Sequence, residues 1–174
     1  MVSVCASQDL SARSGYLQYR FGPLGQPSLM FPEITARPET DVRVRTLTFA
    51  GGGGAYVRFR RSQYAYVVYD ALIKGSGGRS GVAVIHAGKT IANLSCRNPA
   101  ASSLGPDFFA AAGLVTDADD FEIPVTVWRR RGRSSGRRVA GLPSLRKGET
   151  LTTVQISPSL GAASGQLLQA AHRP

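Results

Sequence analysis

Sulfur, imidazole and negative charge are all scarce in this chain. Its 174 residues hold two cysteines, two histidines, one tryptophan and 11 acidic residues against 21 basic ones. Two cysteines cannot close a structural zinc site without histidine partners, and the only histidines are His86 and His172. The absence of C-x-x-C removes the thioredoxin-like redox motif. No serine stands in G-x-S-x-G, so the strand-to-helix nucleophile elbow is missing. No uncharged stretch is apolar and long enough for a membrane-spanning helix. No charged segment followed by an apolar run opens the chain, so no signal peptide is visible. The expected location is periplasmic or secreted if a leader was removed, and cytoplasmic otherwise.

What is present suits short strands. Hydrophobic residues make up 43% of the chain, charged residues only 18%, and there are 20 glycines. That balance fits strands joined by glycine turns better than long solvated helices. The net charge of +10 is unevenly placed. From Val125 onward there are nine basic residues and one acid, Glu149, a balance of +8. The first 124 residues hold twelve basic and ten acidic residues, a balance of +2. This break predicts a β domain over 1–124 and a basic, Gly/Ser/Ala/Pro-rich, flexible extension over 125–174.

Alternation carries most of the strand assignments. "GYLQYRF" (Gly15 to Phe21) has large groups on both faces. "SLMFP" is a short strand closed by Pro32. "VRVRTLTF" sets Val42, Val44, Thr46 and Thr48 against Arg43, Arg45, Leu47 and Phe49. Two strands follow, about Ala55 to Arg60 and Gln63 to Ile73, tightly joined at Arg61-Ser62. "KGSGGRSG" reads as a flexible loop. "GVAVIH" and "TIANLSC" form a hairpin with a glycine in its "AGK" turn. "SSLGPDFFAAAGL" reads as one short helix started by Pro106 and stopped by Gly113, with Phe108 and Phe109 capping the sheet. "TDADDFEIP" reads as an exposed acidic turn with Phe121 and Ile123 as anchors. Past Pro124 the one strand-like stretch is "ETLTTVQIS". The expected fold is all-β, an antiparallel sandwich or small barrel with one short helix after the last core strand.

Several motifs have a plain structural reading beside the chemical one. "HAGKT" ends like a phosphate-binding loop, but Ala83 stands where its first glycine belongs, and the segment joins two strands. "GGGG" (Gly51 to Gly54) reads as a flexible loop, or as a place where backbone approaches a ligand closely. Asp117, Asp119, Asp120 and Glu122 lack the spacing of a calcium loop and read as a solvated turn. Asn93-Leu94-Ser95 fits the glycosylation sequon. Cys96 and His86 share the proposed hairpin, yet a histidine beside a turn is usually an exposed one. No catalytic residue, metal ligand or cofactor contact is assigned, and the expected cofactor complement is none.

Cys5 and Cys96 bracket the β region. In an oxidising compartment a bridge between them would contribute roughly 4–5 kcal/mol on loop-entropy grounds. In a reducing one they are two unrelated thiols. Rings and guanidinium groups also interleave on the proposed strands: Tyr16, Tyr19, Arg20, Tyr56, Arg58, Arg60, Tyr64 and Tyr66. Arg129, Arg130, Arg131 and Arg133 add a basic run. Together these are the candidate contacts for a ligand or for nucleic acid, since single strands are bound by stacked rings and arginines on small barrels. Tyrosine also fills sandwich cores and rims.

"SVCAS", "SGYLQYRFG", "GGGGAYVRFRRSQYAYVVYDA", "GVAVIHAGKTIANLSCR" and "LGPDFFAAAGL" together resemble a group of small, uncharacterised β-rich proteins that bacteria export. The resemblance covers residues 2–124. It implies export and a Cys5–Cys96 bridge, and no activity. The expected function is a non-enzymatic exported or periplasmic domain that binds an unknown protein or glycan at the cell envelope. The alternative is a nucleic-acid-binding β module using the tyrosines and the arginine-rich tail. A hydrolase with an unrecognised site is the weakest of the three.

Overall fold

The computed structural model describes residues 1–23, 25–34, 37–38, 41–96 and 100–124, and the backbone of 154–159. Two sheets face each other as an open sandwich, and the barrel alternative is not realised. The smaller sheet has the order β3-β2-β1-β9, built from β1 (Val2–Ser7), β2 (Leu17–Phe21), β3 (Leu29–Phe31) and β9 (Val154–Ser159). Its first three strands are antiparallel, and β9 lies parallel to β1 in the register Val2↔Val154 to Ser7↔Ser159. The larger sheet is an antiparallel meander: β4 (Val42–Phe49), β5 (Gly52–Arg61), β6 (Tyr64–Ile73), β7 (Gly77–His86) and β8 (Lys89–Ser95). Among the described residues no helix is long and apolar enough to cross a membrane.

Period-two alternation decides what each face carries. Val2, Val4 and Ala6 of β1 and Leu17, Tyr19 and Phe21 of β2 are buried toward the larger sheet. They meet Val42, Val44, Ala55, Val57, Phe59, Tyr66, Val68, Val82 and Val84, and together these form the main core. Four strand assignments need adjustment. β5 begins at Gly52, so three of the four consecutive glycines are strand rather than loop. β7 begins at Gly77, so most of "KGSGGRSG" is strand, and the turn is Lys74–Ser76. The β5–β6 turn is Ser62-Gln63, one residue later than expected, with Ser62 at φ 53°. The "AGK" turn is tighter than the quoted triplet: Ala87 and Gly88 sit at φ 47° and 75°, as a type I′ hairpin requires.

The helix α1 spans Pro106–Ala111, with proline in its first turn and Phe109 buried in the main core. Gly113 ends it at φ 61°, with Ala12 packed where a side chain would stand. The chain then meets the free edge of β4. Val44 N–H donates to Val115 O at 3.0 Å, and Asp117 N–H donates to Val44 O at 2.7 Å. Beyond this single parallel bridge, residues 118–124 cross the outer face of the larger sheet as a strap without regular structure. Phe121 and Ile123 anchor it in a second apolar cluster with Tyr56, Val67, Tyr69, Ala71 and Ala83. Over most of its length the larger sheet is thus covered on both faces, by a sheet on one side and by the seven residues 118–124 on the other.

Candidate functional site

The candidate tyrosines and arginines do not form one surface. Tyr19 and Tyr66 point into the sandwich, 1% and 4% exposed, with ring centroids 5.3 Å apart. Tyr56 is fully buried on the opposite face of the larger sheet. None of these three rings presents a face to a base. The cause is the alternation itself: in a sheet covered on both sides, every in-phase tyrosine goes to one interior or the other. Tyr64 is half-buried, its ring centroid 4.4 Å from that of His86. Tyr16 is half-buried beside β1, its N–H donating to Ser7 Oγ at 2.9 Å. Arg20 donates from Nε to Gln18 Oε1 at 2.8 Å. Arg129, Arg130, Arg131 and Arg133 lie outside the described residues.

Tyr56, Arg58 and Arg60 do converge, but on carboxylates of the chain itself. All three lie on the outer face of β5, at every second residue. Arg58 Nε lies 2.7 Å from Asp117 Oδ2, and the two side chains are 7% and 0% exposed. The contact is an ion pair more than an aligned hydrogen bond. Arg58 Nη1 reaches Asp119 Oδ2 at 3.2 Å, and Arg60 Nη2 reaches Asp119 Oδ2 at 2.8 Å and Asp117 Oδ1 at 3.4 Å. The Tyr56 hydroxyl donates within the same cluster, 3.1 Å from Asp117 Oδ2 and 2.9 Å from Asp119 O. Burial raises the Tyr56 phenol above its ordinary pKa, and the Asp117 charge pushes it further the same way. Outside the cluster, Arg45 Nη1 pairs with the exposed Asp120 at 2.6 Å.

This network corrects the reading of the acidic turn. Asp117 is among the most buried side chains of the protein, not a solvated one, while Asp119 and Asp120 are exposed. A buried carboxylate needs a partner of opposite charge, and Arg58 supplies it. Among the described residues no three metal-ligating side chains are grouped. The signal was present in the sequence as matched charge, three arginines of β4 and β5 and three aspartates of the strap. Their separation of some 60 positions hid the pairing.

Comparison with known proteins adds nothing to the geometry. No family model, no curated protein and no solved structure matches the chain.

The cysteines are not bridged. Cys5 shares with Ser3 the face of β1 opposite Val2, Val4 and Ala6, and lies 3.9 Å from the Ser3 hydroxyl. Cys96 packs against the core between the sheets. The backbone of the smaller sheet therefore separates them, a consequence of Cys5 being out of phase with the buried valines. Nor do Cys96 and His86 pair: Cys96 N–H bonds to Ser80 O, six residues along β7 from His86, or roughly 20 Å. Asn93 of the sequon is engaged, its Oδ1 accepting from the Tyr69 hydroxyl at 2.9 Å.

One end of the larger sheet's inner face remains open among the described residues. The larger sheet runs past the smaller one, and its last rows on the inner side have little side chain. Thr48, Gly53, Leu72 and Gly78 lie in register across β4 to β7. Leu72 is 66% exposed, and the space above Gly78 is empty. One row deeper, the Ser80 hydroxyl donates to Asp70 Oδ1 at 2.6 Å beside the exposed Thr46. The arrangement is an apolar knob on a flat glycine floor, backed by hydroxyls and a carboxylate. It offers contact area and hydrogen-bonding groups.

Proposed function

We propose that this chain is a non-enzymatic binding domain that recognises a protein or glycan partner through the uncovered end of its larger sheet. The observation that carries the reading is the exposed Leu72 on its glycine floor, next to the Asp70–Ser80 pair. Glycine within a strand costs stability, and backbone left open to close approach is what it offers in return. A partner with one apolar face and peripheral hydroxyl or amide groups suits that end. The cell-envelope location belongs to the same proposal and rests on the resemblance of residues 2–124 alone, since no bridge supports it. The nucleic-acid reading has less support, because Tyr19, Tyr56 and Tyr66 are buried and Arg58 and Arg60 are neutralised by Asp117 and Asp119.

An amide-resolved NMR titration tests this with soluble peptidoglycan fragments and with envelope protein fractions. The expected shifts map to Thr46, Thr48, Gly53, Leu72 and Gly78 and vanish in Leu72→Asp. Single-stranded oligonucleotide binding that falls steeply with salt and ignores Leu72→Asp would establish the nucleic-acid reading instead.

A further inference from the structure

The strap is held to the sheet it covers by side chains and not by strand pairing. Between Ala118 and Pro124 no backbone ladder ties it to the sheet. Its attachment is made of side chains in a fixed order: Asp117 and Asp119 on Arg58 and Arg60, then Phe121 against Tyr56 and Tyr69, then Ile123 in the same apolar cluster. The ring of Phe121 meets that of Tyr56 edge-on at 5.4 Å and that of Tyr69 at 5.8 Å. Cationic groups that clamp carboxylates, followed by a trough that takes an aromatic residue and then an aliphatic one two positions on, make a peptide-recognition surface.

We infer that the outer face of β5 and β6 is a receptor for an extended acidic–aromatic peptide, and that residues 115–124 of a second copy of this chain can occupy it in exchange for the chain's own strap. The described residues contain the matching segment, so an exchange conserves every ion pair and both anchors. Gly113, whose left-handed φ ends α1 just before the strap, supplies the pivot. The resident strap is tethered and competes at high effective concentration, so a segment in trans sees only the fraction of molecules whose face is open.

The test uses the full chain, a full-chain variant carrying Phe121→Ala and Ile123→Ala, and a fluorescein-labelled peptide of residues 115–124. The expected result is that the peptide binds the variant at least about tenfold more tightly than the parent. Adding Arg58→Ala to the variant should reverse the gain, and replacing both Asp117 and Asp119 by Asn in the peptide should do the same. If the variant is unfolded alone, saturating peptide should restore a cooperative melt. A variant that neither binds the peptide nor is refolded by it overturns the inference. The second-copy assignment is read by mixing the variant, whose groove is intact, with an Arg58→Ala chain, whose strap is intact. A one-to-one heterodimer on light scattering supports exchange, and monomers alone overturn it.

Discussion

The two faces of the larger sheet are buried by opposite means. On the inner face a second sheet lays valine, leucine and aromatic side chains against Val57, Phe59, Val68 and Val82, and among the described residues no charged side chain is buried there. On the outer face a strap fixes itself with one buried ion pair, one half-exposed arginine and two apolar anchors. The inner contact is spread over many equivalent residues, so it tolerates repacking. The outer contact is concentrated in a few residues that cannot be exchanged for one another. A sheet core of this kind gives stability, whereas a few-point attachment gives selectivity and a means of release.

Single substitutions rank the two faces. Phe59→Ala, at full burial on the inner face, should lower the unfolding free energy by about 4–5 kcal/mol in urea titration. Asp117→Ala leaves the buried Arg58 guanidinium with only the exposed Asp119 and should cost about 3 kcal/mol, even though the pair itself contributes little net stability. Phe121→Ala should cost about 3 kcal/mol, the lower end for a buried ring, because the strap can collapse onto the space. A loss for Phe121→Ala equal to that for Phe59→Ala would erase the distinction between the faces.

Alkali probes both interiors together. Burial raises the phenols of Tyr19 and Tyr66 on the inner side and of Tyr56 and Tyr69 on the outer side. Each is kept protonated in the fold at a pH where the unfolded chain ionises, near the ordinary 10.0. Below that pH the stabilisation is complete, and it is lost as pH rises from there toward the folded values. Thermal melts should therefore fall from about pH 10 upward, with these phenols appearing in the ultraviolet only as the fold is lost. Asp117→Asn removes a charge that holds the Tyr56 phenol up, so it should bring that phenol down relative to Tyr69. The smallest effect belongs to Asp120→Ala: its pair with Arg45 is at the surface, and the melt should move by less than about 0.5 kcal/mol equivalent.

The inner face was legible in the sequence, and of the outer one only the two apolar anchors were. Alternation in "VRVRTLTF" and in "GYLQYRF" groups Val42 with Val44, and Leu17 with Tyr19 and Phe21, and all five are buried in the main core, while Pro106 and Gly113 bound the helix as expected. Phe121 and Ile123 read correctly as anchors, because an apolar pair in an acidic run has few other uses. What stayed hidden depends on long-range pairing. Nothing local in "TDADDFEIP" distinguishes Asp117, wholly enclosed, from Asp120, exposed beside Arg45. Glycines that read as a loop became strand because β5 and β7 place them beside β6, where pairing outweighs propensity. The absence of a bridge has a local reason: Cys5 lies one position out of phase with the buried valines, whereas Cys96 packs against the core.

The separability of the strap from the sheet it covers is directly measurable. Native-state hydrogen exchange, followed amide by amide in rising denaturant, measures this. The amides of Phe121 and Ile123 should exchange through an opening of distinctly lower free energy than those of Val67, Val68, Val82 and Ala83, which should exchange only on global unfolding. Exchange of both sets at one common free energy would show that strap and sheet form a single cooperative unit, and would contradict the account.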